Sequence, residues 1–246
     1  MTSILAIDTS SAWCSVALSV GDKAAILKHE AVSSGASQFL LPWIETLLAQ
    51  ADIPLSKLDA IAIGVGPGAF TGVRLGIAVV QGLAIGAQLP VIPVASLDAL
   101  AMQLVQTSHF KSSKANNFVL AIDARMDEIY WARFEMMDAS SPKRVGQIHL
   151  SKPEEINLND VHFLAGSAIK EYGERLFLGD RVSLNPSSLD KDIGISALGI
   201  LEAAKVDFSK GKQIAVAHLE PLYIRNKVAL TTEERMAISG QGISSL

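Results

Sequence analysis

Short apolar runs alternate along the chain with segments of helical period, the pattern of an α/β protein. Ile4-Leu5-Ala6-Ile7-Asp8 reads as an apolar strand ending in aspartate, and Val119-Leu120-Ala121-Ile122-Asp123 repeats it. Each leads through a short polar turn, Thr9-Ser10-Ser11 or Ala124-Arg125-Met126-Asp127, into a second strand-like run, Trp13 to Val20 or Ile129 to Phe134. Third runs follow at about Ala24 to Val32 and Arg144 to Leu150. Asp59 to Gly64 then resembles Asp160 to Gly166, and both pass through glycine into a helical segment. The repeat predicts two α/β lobes with mixed sheets, each built on a βββαβα unit. The first spans 1–107, the second 108–225, and a tail runs over 226–246. Thr107 to Asn117 is polar enough to link the lobes.

The helical segments carry their own stripes. Over about Ser37 to Ala51, Phe39, Leu40, Trp43, Ile44, Leu47 and Leu48 occupy half of the helix surface, a spacing normally found in cores. Pro42 fits the first turn if that helix begins late and otherwise kinks it. A helix after Ser96 carries Leu97, Leu100, Ala101, Leu104 and Val105, and a closing helix carries Ala197, Leu198, Leu201, Ala204 and Phe208.

Gly64-Val-Gly-Pro-Gly-Ala-Phe-Thr-Gly-Val-Arg-Leu-Gly76 joins the run Ala60-Ile61-Ala62-Ile63 to a helix for which Thr71 is the expected N-cap. Glycines continue into that helix. Gly72, Gly76, Gly82 and Gly86 share one stripe with Leu75, Val79 and Leu83, and together forfeit roughly 3 to 4 kcal/mol of local helix stability relative to alanine. Val73, Ile77, Val80 and Ala84 form a second apolar arc suited to the parent sheet. Only Arg74 and Gln81 make a polar strip. The notched stripe fits either a packed internal helix or the close approach of a helix from another subunit.

With 49% hydrophobic residues and 19% charged residues among 246, the chain can bury a large core. Met1-Thr2-Ser3 leads directly into a strand, and no uninterrupted apolar run is long enough to span a bilayer, so no membrane partner and a cytoplasmic location are expected. A net charge of −4 lacks the positive surplus used to track a phosphate backbone. The single cysteine, Cys14, lies in an apolar-alternating run and reads as a buried thiol. The five histidines show no metal-ligand spacing.

The duplicated unit is the architecture of the two-lobed actin-like (ribonuclease H-like) ATPases, in which strand-end aspartates hold a magnesium nucleotide and glycine turns press amides against phosphate. Asp8, Thr9, Ser10, Gly66, Gly68 and Asp123 occupy the corresponding places. Neither aspartate turn contains a glycine, however, so any such site reads as vestigial or as composite with another subunit. Gly64-Val-Gly-Pro-Gly-Ala formally matches a dinucleotide fingerprint, but the following strand ends in Ser96 where an acidic ribose ligand is required. A small-molecule kinase or ATPase using Asp8 and Asp123 stays open as the alternative.

Four segments then identify a family: Ile4 to Ser10, Gly66 to Gly76, Ile122 to Tyr130 and Pro221 to Arg225. Together they closely resemble the TsaB (YeaZ) family. The resemblance implies a cytoplasmic, non-catalytic scaffold for forming threonylcarbamoyladenosine at the tRNA adenosine beside the anticodon. It implies pairing with the metal-bearing transferase TsaD, the ATPase TsaE completing the cycle, an adenylate supplied by TsaC, and contact with tRNA only through the complex. It further implies self-association when TsaD is absent. No cofactor is expected in the isolated chain, with ATP or ADP only at a composite site. The expected interface combines Phe39, Leu40, Trp43 and Leu47 with Gly72, Leu75, Gly76, Val79, Gly82, Leu83 and Gly86. One departure stands out: many family members carry His-Ser-Glu before the Leu-Leu-Pro of the first helix, where this chain reads Gly35-Ala36-Ser37-Gln38-Phe39.

Overall fold

A computed structural model describes residues 2–32, 35–178 and 184–225; the 226–246 tail read from the sequence lies outside the described residues. The first half contains strands β1 (Ser3–Asp8), β2 (Trp13–Val20) and β3 (Ile26–Ala31), helix α1 (Ala36–Ala51), β4 (Ala60–Gly64), α2 (Phe70–Ala87), β5 (Val91–Val94) and α3 (Ser96–Leu104). A short helix α4 (Ser108–Ser113) precedes β6 (Asn117–Arg125), β7 (Glu128–Met136) and β8 (Pro142–Ser151). The chain continues through β9 (Phe163–Ala165), α5 (Ala168–Tyr172), β10 (Leu189–Asp190) and α6 (Ala197–Ser209).

Two five-stranded mixed sheets have matching orders, β3-β2-β1-β4-β5 and β8-β7-β6-β9-β10. β1 pairs antiparallel with β2 and parallel with β4, and β6 repeats this with β7 and β9. The duplicated actin-like architecture is therefore present strand for strand. Its helices are unequal, because the place of α1 is taken in the second half by a single 3₁₀ turn at Pro153–Glu155. Ile4 to Asp8 is buried throughout, as a central strand covered on both faces requires.

Sheet faces and helices divide the apolar residues into three clusters. On the outer face of the first sheet, Leu5, Ile7, Ile61 and Ile63 pack with α1 and α2. On the outer face of the second sheet, Val119, Trp131 and Leu164 pack with α5. The third cluster lies between the sheets. There α3 and α6 stand side by side, with Ile4, Ala62 and Ile92 of the first sheet on one flank and Phe118, Leu120 and Phe163 of the second on the other. At Gly199 an added Cβ would lie 2.4 Å from the Ala99 carbonyl oxygen, so the two helices meet backbone to backbone. The span 108–225 expected as the second lobe thus contains a helix that packs on the first sheet. Ser15 Oγ on β2 accepts the Ala197 amide at 2.9 Å and fixes its start there.

Three local readings change. The linker over 107–117 contains α4, with Thr107 accepting the Phe110 amide as its N-cap. α1 begins at Ala36, behind a left-handed Gly35 (φ 88), so Pro42 lies inside the helix. The Pro42 carbonyl accepts the Thr46 hydroxyl at 2.6 Å. Finally, Ala69 rather than Thr71 is the N-cap of α2, and no side chain caps it.

Candidate functional site

The glycine-rich segment is closed by the chain itself. Asp8, Thr9 and Ser10 leave β1 and lie against the end of β4 and the first turns of α2. The Ala69 amide donates to the Ser10 carbonyl at 2.6 Å, and the Thr9 hydroxyl donates to the Gly72 carbonyl at 2.7 Å. An added Cβ at Gly68 would lie 2.2 Å from Ser10 O, and one at Gly72 only 1.9 Å from Thr9 O. At Gly76 it would meet Thr9 Oγ1 at 2.7 Å and Ile63 Cδ1 at 2.9 Å. Contacts under 3 Å require something to shift, so Gly68 and Gly72 admit the Thr9–Ser10 backbone, and Gly76 makes room for the Thr9 and Ile63 side chains. Gly66 has φ 97, a left-handed turn, and its carbonyl accepts the Ser96 amide.

Asp8 is sealed behind this packing. It is 0% exposed; Oδ1 accepts from Ser10 Oγ at 2.8 Å, and Oδ2 has no hydrogen-bond partner among the described residues. Burial pushes its carboxyl up to about 6, opposed by the Ser10 hydrogen bonds.

A cleft of about 890 Å³ opens between the lobes, with Ser10, Gly68 and Trp13 on one wall and Asp123, Arg125 and Lys170 on the other. Asp123 is committed to local bonds. Its Oδ1 accepts the Arg125 amide at 2.8 Å and the Tyr172 hydroxyl at 2.9 Å, while Oδ2 pairs with Arg125 at 3.1 Å. Burial and the bond to Asp123 push the Tyr172 hydroxyl up to about 12. The segment 219–225 crosses one end of the cleft. Its Leu222 amide bonds Val65 O, and Arg225 reaches the second lobe, donating to the carbonyls of Ala124 and Arg125 and pairing with Glu128.

The outer face of α2 is different in kind. Phe70, Thr71, Arg74, Ala78, Gly82, Ile85 and Gly86 are exposed, and only five of the 18 residues are buried. Gly82 and Gly86 have nothing among the described residues within 4 Å of an added Cβ. Ile85 is 66% exposed. By length and composition this helix could cross a membrane, and Arg74 is its only charged residue.

The expected partner face is therefore redistributed. Leu40, Trp43 and Leu47 point into the first sheet and are core residues, because the half-circle stripe of α1 is the side that covers β2. Gly72 and Gly76 face Thr9, while Val79 and Leu83 are half-buried against the same core. Phe39, Leu75, Gly82 and Gly86 stay accessible. Phe70, Arg74 and Ile85 join them; Phe70 and Arg74 are one turn apart, and Ile85 lies about three turns farther along the same exposed side.

Comparison with known proteins adds an independent line. Residues 30–237 match the family model described as TsaD, tRNA N6-adenosine threonylcarbamoyltransferase. The chain is 36% identical to the tRNA threonylcarbamoyladenosine biosynthesis protein TsaB of Haemophilus influenzae, covering 92% of this chain and 94% of that protein. It is 35% identical to the same protein of Escherichia coli, over 92% and 96%. The solved structure of YeaZ from Pseudomonas aeruginosa superposes with a TM-score of 0.78 at 34% identity, covering 91% of this chain and all of that one.

Proposed function

The chain belongs to the TsaB (YeaZ) family, and from that membership we propose that it serves tRNA threonylcarbamoyladenosine formation as a non-catalytic subunit docked through the outer face of α2. The observation that carries the docking is the open pair Gly82 and Gly86. An exposed helix interior gains up to about 1 kcal/mol from alanine in place of glycine, and no neighbour among the described residues accounts for either residue. A helix laid across that notch accounts for both, since small residues let two backbones approach closely. The surrounding Ala78 and Ile85 supply apolar area at the same face.

The natural occupant is a TsaD-family transferase, the enzyme described by the matching family model. In its absence a second copy of this chain takes the same face. TsaE joins the assembled pair, and tRNA contacts this chain only within that assembly. Gly82→Leu and Ile85→Glu should each abolish co-elution with the TsaD-family partner while leaving the melting temperature within a few degrees. Pairing that survives both substitutions removes α2 as the interface.

The closed turn supports the absence of chemistry in the isolated chain. Its loop amide at Ala69 already holds the Ser10 carbonyl, and Asp8 has no exposed surface with which to meet a metal-bound phosphate. Calorimetric titration with magnesium ATP should give no binding heat for the chain alone. Tight binding with turnover would restore the kinase alternative, whereas binding only after TsaD is added would place nucleotide at a composite site.

A further inference from the structure

Arg74 projects from the first turns of an otherwise uncharged apolar helix face, and it is held there. Its guanidinium carbon lies 3.7 Å from the centroid of the Phe70 ring and 5.8 Å from that of Tyr223. Nε donates to the Tyr223 hydroxyl at 2.8 Å. The two rings are themselves 6.0 Å apart and exposed, Phe70 at 41% and Tyr223 at 50%. These contacts use one face and the Nε edge of the guanidinium.

The terminal nitrogens have no oxygen partner among the described residues. That sets Arg74 apart. Arg125, Arg144, Arg175 and Arg225 each pair with a carboxylate, and Arg133 donates to Asn157 and Asn159 oxygens. A stacked guanidinium with its forked edge free has lost most of its rotamer freedom before binding, so a planar two-oxygen acceptor can be received bidentately at low further entropic cost.

We infer, building on the α2 docking surface above, that Arg74 receives a carboxylate side chain of the protein partner and fixes the register of the docked helix. A single charged contact inside an apolar seam is a means of selecting one alignment among several that bury similar area. The acceptor is a protein carboxylate rather than an RNA phosphate, because backbone tracking needs a row of cations and α2 offers one. Phe70, Ala78 and Ile85 around it are the apolar and aromatic surroundings of a protein interface.

The test measures affinity and dissociation rate for the purified TsaD-family partner, without tRNA, for the wild-type chain and for Arg74→Gln, Arg74→Lys, Arg74→Glu and Gly82→Leu. Expected are a loss of 10-fold or more for Arg74→Gln, a smaller one for Arg74→Lys, and 100-fold or more for Arg74→Glu, carried mainly by faster dissociation. One acidic-to-lysine change on the partner should recover at least 10-fold of the Arg74→Glu loss. Thermal melting of each free variant confirms that folding is intact. If the Arg74 variants all bind within twofold of wild type while Gly82→Leu does not bind, the carboxylate contact is wrong and the docking surface stands. If Gly82→Leu also binds normally, the docking surface itself is wrong. If the Arg74 variants assemble normally but the complex then holds tRNA more weakly, the acceptor is phosphate and the inference is overturned.

Discussion

Helix α2 carries two pairs of glycines that look alike in the sequence and do opposite things. Gly72 and Gly76 touch the Thr9 turn so closely that a methyl group would collide with it; Gly82 and Gly86, two turns farther on, face open space. The first pair is explained by the fold of this chain. The second pair costs helix stability with no return from the described residues. A glycine stripe is therefore not one signal, and only the coordinates around each Cα separate a packing requirement from a binding surface.

That contrast can be broken most forcefully at Gly72. Gly72→Ala should destabilise the isolated chain by about 3 kcal/mol in denaturant unfolding, the upper range for forced overpacking against backbone. A change below about 1 kcal/mol would show that the Thr9 turn does not pack as described. The closed side also buries a titratable carboxyl, which gives it a pH signature. The Asp8 carboxyl is raised from 3.8 to about 6 in the folded state, so that state holds the proton more tightly than the unfolded one. Its stabilising contribution is full below pH 4 and is lost as pH rises through 6, a difference of up to about 3 kcal/mol. Asp8→Asn should remove that slope between pH 4 and 6. An unchanged slope would mean that Asp8 titrates as an exposed carboxylate.

Gly76→Ala is expected to cost about 1 to 2 kcal/mol, since the Thr9 side chain and Ile63 can yield where backbone cannot. On the open side the sign reverses. Gly82→Ala and Gly86→Ala should each stabilise the free chain by about 0.5 to 1 kcal/mol while weakening its association with the partner. Destabilisation by either would place these glycines with the first pair and end the comparison.

Much of this architecture was legible before any coordinates. The repeat of Ile4-Leu-Ala-Ile-Asp8 as Val119-Leu-Ala-Ile-Asp123 announces two sheets with the same strand order, because continuous apolar runs ending in aspartate mark central strands. The apolar arc of Val73, Ile77, Val80 and Ala84 locates the buried side of α2. What periodicity could not supply was the neighbour on each remaining side. Leu40, Trp43 and Leu47 have the spacing of any helix stripe, and only the packing of α1 on β2 assigns them to the core. Arg74 read as part of a polar strip. Its importance depends on Tyr223, a contact 149 residues away in sequence that no local pattern encodes.

The pair α3 and α6, wedged between the sheets, bears on how this polypeptide can be dissected. Leu97, Leu100 and Leu104 come from the first half of the chain and Ile200, Leu201 and Ala204 from the end of the second, yet all six belong to one apolar layer. A gene cut at the 107/108 junction would yield two fragments that each carry half of that layer bare to water. Separately expressed, they should clump or be degraded, and co-expressed they should find each other. The two lobes are halves of a single heritable unit.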